Sequence, residues 1–122
     1  MPGSGRESMP LRKKVVEDVA ELFSVLAHPT RIRILSILHG SEHDVSDLCE
    51  RLAVPPANAS QHLAALRSHH LVTVRRQGTH VYYGMRDPRV AELINRALDI
   101  LAEDVSQARA IHKAIELVRL RD

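Results

Sequence analysis

Cysteine is almost missing from this 122-residue chain, Cys49 being the single one. That excludes an internal disulfide framework and any thiolate-rich metal cluster within one protomer. Aromatic residues are scarce at 2% while hydrophobic residues reach 44%, so the core is expected to consist of Leu, Ile, Val and Ala, which suits stacked helices better than an aromatic-rich β fold. No apolar run approaches the ~18 residues of a membrane span, and Met1–Ser8 lacks the apolar core of a signal peptide. A soluble, cytoplasmic protein with no membrane partner is expected. The same opening stretch has no apolar period, so residues 1–10 are expected to form a disordered tail, with Met9 an alternative start. Neither a nucleophile motif nor a glycine-rich phosphate loop is present, which argues against an enzyme. The most informative absence is of acid: from Leu52 to Arg86 there is no Asp or Glu, while Arg67, Arg75, Arg76 and Arg86 lie there with His62, His69, His70 and His80. The net charge is only +2, so it is the segregation of charge that suits this tract to a phosphate backbone.

What is present reads as one mainly α (α+β) domain over residues 11–120. Val15, Val16, Val19, Leu22, Phe23 and Leu26 recur at threes and fours, predicting an amphipathic first helix that ends near His28-Pro29. Pro29 opens a second, largely buried helix that Gly40 stops, although His28 leaves its start without a good cap. Asp44 is a good N-cap for a short third helix, with Asp47 in its first turn. After the Val54-Pro55-Pro56 turn a fourth helix runs to about His69, the second half of a helix-turn-helix. LVTVRR and THVYYG then alternate with period two around Gln77-Gly78, predicting a two-stranded wing, with Tyr82 and Tyr83 on opposite faces. The segment from Pro88 to Leu120 keeps helical apolar spacing throughout. One long last helix is therefore expected, making about five, its wide apolar face buried with the first helix against a second copy.

The expected function follows from the middle of the chain. Asn58, Ser60, Gln61 and His62 are hydrogen-bonding residues early in the fourth helix, placed to reach base edges or phosphates in a major groove, and Arg67 follows two turns later. Arg75, Arg76 and Thr79 sit near the tip of the wing, where they can clamp phosphates or enter a minor groove. His69-His70 ends the helix, where cations favour the helix dipole.

Four blocks, ELFSVLAHPTRIRILSIL, DVSDL, ASQHLAALRSHHLV and RRQGTHVYY, occur in this order and together resemble the ArsR/SmtB family of winged-helix repressors over about Val19 to Glu103. The resemblance implies a homodimer that binds a palindromic double-stranded operator near its own promoter and is released, or otherwise tuned, by an effector. It also implies where a metal such as nickel or zinc would sit, and there this chain departs from the pattern. The thiolate positions on the third helix hold Asp44, Ser46 and Asp47, with Cys49 beyond the motif as a small core residue. The positions of the site bridging the two last helices hold Asp87, Arg89, Ile100 and Glu103. Arg89 and Ile100 offer a metal no lone pair, so an Arg89 to Glu103 ion pair across the dimer is the alternative. His112 and Glu116, one helical turn apart, could supply two ligands, with a third from the other chain, the first helix, Glu103 or Asp104; an ordinary solvated helix face explains them too. His39, Glu42, His43, Asp44 and Asp47 form a second candidate set for nickel, cobalt or zinc, set against the structural duties of Asp44 and Asp47. These departures leave room for another arrangement, in which the chain senses nothing itself and an effector-sensing partner protein docks on the last helix.

Overall fold

The computed structural model describes residues 4–103 and 108–120. In these, six helices and three short strands follow one another as α1 (Ser4–Leu26), α2 (Pro29–Leu38), β1 (His43–Asp44), α3 (Val45–Leu52), α4 (Pro56–Ser68), β2 (Val72–Gln77), β3 (His80–Met85), α5 (Arg89–Ala102) and α6 (Ala108–Val118). No helix among the described residues is long and apolar enough to cross a membrane.

The core is the aliphatic one that the composition dictates. Ile34, Leu35 and Leu38 of α2, Leu48 and Leu52 of α3, and Leu63 and Leu66 of α4 are almost completely buried. Leu35 and Leu38, Leu48 and Leu52, and Leu63 and Leu66 are three or four residues apart on their helices, and Ile34 widens the α2 stripe, so one apolar face per helix meets the others at a common centre. Truncating any of these leucines to alanine would cost about 2–5 kcal/mol in lost burial and cavity. The ends of the helices are fixed by local chemistry. Pro29 opens α2, and Gly40 just past its end takes φ +95, the left-handed geometry that glycine adopts without strain. Asp44 caps α3 by accepting a hydrogen bond from the Asp47 backbone N–H at 2.8 Å, while Ala53 closes it at φ 54.

The wing is an antiparallel hairpin in which Gln77 pairs with His80. Its turn is therefore Gly78-Thr79, one residue further on than the sequence indicates, and Gly78 takes φ +61 at the first turn position, where glycine is preferred. Alternation puts Val72, Val74 and Arg76 on one face with Tyr83, and Thr73, Arg75 and Gln77 on the other with Tyr82. The two tyrosines are split as expected. A third strand was not expected: β1 pairs His43 with Tyr83 and Asp44 with Tyr82, giving the order β1-β3-β2. Two residues are too few to show a period in sequence, so only pairing reveals such a strand.

Two boundaries differ more substantially. Helix α1 starts at Ser4, inside the stretch expected to be a tail, and carries Pro10 in its interior. Lack of an apolar period says that a segment has no face to bury, but Arg, Glu, Ser and Met are all tolerated in a helix. At the other end, the single long helix is replaced by two. Helix α6 folds back on α5: the Asn95 side chain both donates to the Leu120 carbonyl and accepts from its N–H, and Arg119 pairs with Asp99 at 2.7 Å. Ile115 and Leu120 are thereby buried within the same chain, so part of the apolar stripe assigned to a second copy is covered in cis. Helical spacing continues on both sides of the break, which is why periodicity alone reads through it.

Candidate nucleic-acid interface

Helix α4 advances 100° per residue, and its buried stripe of Ala59, Leu63 and Leu66 fixes where every other side chain points. Ala57, Ser60, Gln61, Ala64, Arg67 and Ser68 fall on the outer face and are exposed, as is Asn58 at its margin. The outer face is thus small and polar, with no acid. Ser60, Arg67 and Ser68 line a groove between α4 and the wing, closed on the other side by Tyr83 and Val45. Among the described residues Arg67 carries no ion pair.

His62 is placed differently from Asn58, Ser60 and Gln61. It lies toward the other flank of α4, half-buried, and its Nδ1 accepts a hydrogen bond from Arg31 Nε at 3.1 Å. Burial pushes its pKa below the ordinary 6.5, and the positive charge of Arg31 and the neighbouring His28 push the same way. As an acceptor from Arg31 the imidazole is neutral, and it lies on the flank of α4 that meets α2. Arg31 also donates to the Val25 carbonyl at 3.0 Å, which ties the end of α1 through α2 to α4. A second tie lies one helix-length along, where His69 Nε2 meets Glu21 of α1 at 3.0 Å and its Nδ1 meets the Ala65 carbonyl. Two acceptors favour the imidazolium, which donates from both nitrogens, and the carboxylate of Glu21 is the main reason that this pKa is raised.

On the wing, Arg76 and Thr79 are exposed, and Arg76 carries no ion pair among the described residues. Arg75 is differently placed. Its Nε lies 3.0 Å from Glu42 Oε1, its guanidinium donates to Gln77 Oε1 at 2.7 Å, and it sits 4.6 Å over the Tyr82 ring. On the same face His80 Nδ1 lies 3.4 Å from Asp44. Arg31 and Glu42 are contributors that a motif search passes over, since each lies more than thirty residues from its partner.

Within one chain, most of the residues named as candidate metal ligands are engaged by other groups. Asp87 is engaged by Arg89 in its own chain, with both carboxylate oxygens accepting from the guanidinium and Oδ1 also accepting from the Arg89 backbone N–H. The guanidinium contacts and that backbone bond hold its pKa down to about 2. The Arg89 expected to reach Glu103 of a second copy is thus satisfied locally. Ile100 brings no donor. Glu103 and His112 line one cleft with Arg96 and Arg119, and Glu116 lies 3.4 Å from Arg119, so cations occupy the surroundings. Asp104 lies outside the described residues. In the other candidate set, His43 Nδ1 and Arg51 both hold Asp47, at 2.6 and 2.8 Å, hydrogen bonds that lower its pKa, and Asp44 is spent on its cap. Among the described residues no three His, Cys, Asp or Glu side chains come together as a metal would need.

Comparison with known proteins places this arrangement. A helix-turn-helix domain family matches residues 26–75. The chain is 40% identical over 87 residues to a transcriptional repressor SmtB homolog of Synechocystis, the match covering 71% of this chain and 66%, just under two thirds, of that protein. It is 38% identical to the HTH-type transcriptional regulator Rv0081 of Mycobacterium tuberculosis over 86% of this chain and 90% of the relative. The crystal structure of Rv0081 superposes with a TM-score of 0.69, covering 76% of this chain and 94% of that one at 36% identity. The NMR structure of the homodimeric winged helix-turn-helix DNA-binding domain of Mb0332 from Mycobacterium bovis gives a TM-score of 0.70 at 28% identity, over 80% and 91% of the two chains. With a helix-turn-helix, a wing and relatives of this similarity, the chain belongs to the ArsR/SmtB family of winged helix-turn-helix transcriptional regulators.

Proposed function

We propose that this regulator is a homodimeric repressor of a palindromic duplex operator. Asn58, Ser60 and Gln61 of α4 read base edges in the major groove, Arg67, Arg76 and Thr79 contact phosphates, and His62 and Arg75 hold these elements in place. The observation that carries the reading is the acid-free outer face of α4 set beside the wing, in a chain whose fifteen acids are all elsewhere. Base edges supply specificity and phosphates supply most of the affinity, so both kinds of group are needed on one surface. A symmetric pair would place two copies of α4 about 34–36 Å apart, one duplex turn. A divalent metal effector such as nickel or zinc would have to use donors other than Arg89 and Ile100, which have no lone pair to give.

The test is selection of duplex fragments from genomic DNA followed by fluorescence anisotropy across a salt series. Preference for a palindromic fragment over its scrambled counterpart by roughly 1,000-fold is expected, with affinity falling steeply as salt rises. Equal affinity for both duplexes, or affinity indifferent to salt, would sink the reading.

A further inference from the structure

The two neighbouring arginines of the wing are in opposite electrostatic states. Arg76 shares a face with Val74 and Tyr83, the face that borders α4, and is exposed. Arg75 lies on the opposite face, spread over Tyr82 and paired with Glu42 across three strands. The Glu42 carboxylate reaches it by crossing the wing at Gly84, the one position of β3 with no side chain. A Cβ built there would stand 2.9 Å from Thr73 Oγ1 and 3.3 Å from Glu42 Cγ. Gly84 has no positive φ to explain it, and a glycine inside a strand marks close approach by another group. What approach here are Thr73, its cross-strand partner, and Glu42. The same face carries a second acid-to-wing contact, Asp44 to His80, so the acids beside β1 brace the hairpin along its length.

We infer that Glu42 is the positioning residue of the wing: lying across Gly84, it neutralises Arg75 and clamps it to Tyr82, so that Arg76 alone of the two arginines meets phosphate. The inference rests on the DNA-binding reading above. A wing built this way touches the duplex with one charge instead of two, while the second cation fixes the angle at which the hairpin leaves the body. A clamped, half-exposed guanidinium costs little entropy on binding, because its rotamer is already chosen.

Each phosphate neutralised contributes about 0.9 to the slope of log affinity against log salt, so the slope counts charges that a purely structural role would leave unmoved. With the full chain and a fixed palindromic duplex, Arg76→Ala should make the slope shallower by about 0.9. Arg75→Ala should leave the slope of the wild type unchanged. Glu42→Gln, close to isosteric at a half-exposed site, should leave the charge of Arg75 uncompensated and make the slope steeper by about 0.9, with tighter binding to scrambled duplex. Gly84→Ala should shift the slope in the same direction by crowding Glu42 off its path. A shallower slope in Arg75→Ala equal to that in Arg76→Ala, or an unaltered slope in Glu42→Gln, overturns the inference while leaving DNA binding standing. Failure of the wild type to bind any duplex overturns both.

Discussion

His62 on α4 and His69 at its C-cap have pKa values shifted in opposite directions, and the difference is set by what each ring faces. His62 accepts from a guanidinium and is partly buried, so its folded pKa lies below that of the unfolded chain. The stability linked to it is present above about pH 6.5 and is lost as pH falls toward the folded value, because the unfolded chain takes up the proton first. His69 donates to Glu21 and has a raised folded pKa. Its contribution is present below about pH 6.5 and is lost as pH rises through the folded value. His62→Gln keeps an acceptor for Arg31 and should therefore reduce the loss of Tm between about pH 7.5 and 5.5, whereas His69→Gln should enlarge it. Thermal unfolding in a buffer series checks this, and shifts of the same sign in both variants would show the assignment to be wrong. Neither partner was legible in the sequence. Periodicity fixes the angle of His62 around its helix, but the guanidinium waiting there belongs to α2, and the acid facing His69 belongs to α1. For Asn58, Ser60, Gln61 and Arg67 the same angular reasoning predicts their exposure, because it needs only the buried stripe of α4 itself.

At the scale of elements, the start of α2 lacks a side-chain cap. His28 occupies the N-cap with extended backbone angles suited to capping, yet makes no side-chain hydrogen bond to the helix, and no acid lies in the first turn. The neighbouring α3 shows what is missing, with Asp44 bonded to the N–H of Asp47. His28→Asp would supply an acceptor for an orphan N–H and a negative charge at the positive end of the helix. The variant should be more stable by about 0.5–1 kcal/mol, a rise in Tm of roughly 3–6 °C. Differential scanning calorimetry measures this directly, and an unchanged or lower Tm would mean that the first turn of α2 already has its donors satisfied. The defect could be read in the sequence, because capping depends on one side chain and its next three residues. The break between α5 and α6 could not, since it is stabilised by Asn95 bonding Leu120 and by Asp99 bonding Arg119, contacts made only after the chain has turned back.

In the molecule as a whole, large apolar side chains among the described residues are left uncovered on α1, on α5 and, at Leu117 and Val118, on α6. On α1, Leu11, Val15, Val16, Val19 and Phe23 are 47–68% exposed, and on α5 Ile100 and Leu101 are 72% and 57% exposed. A single exposed leucine needs no explanation, but a run of this length along one helix marks an interface. Helix α1 is also the element tied to α4 through Arg31 and through Glu21, so a partner seated on α1 would set the direction in which the recognition helix points. Val16→Glu tests the arrangement. Val16 is 68% exposed, so the substitution should leave the monomer folded while placing a charge, and in a symmetric pair two facing charges, in the proposed seam. Sedimentation velocity should show the wild type as a dimer and the variant as a monomer. Losing the second half-site contact should then weaken binding to a palindrome by roughly 100-fold or more, with little change for a single half-site. A variant that remains dimeric and keeps its affinity for the palindrome would place the partner elsewhere and leave the apolar face of α1 to another use.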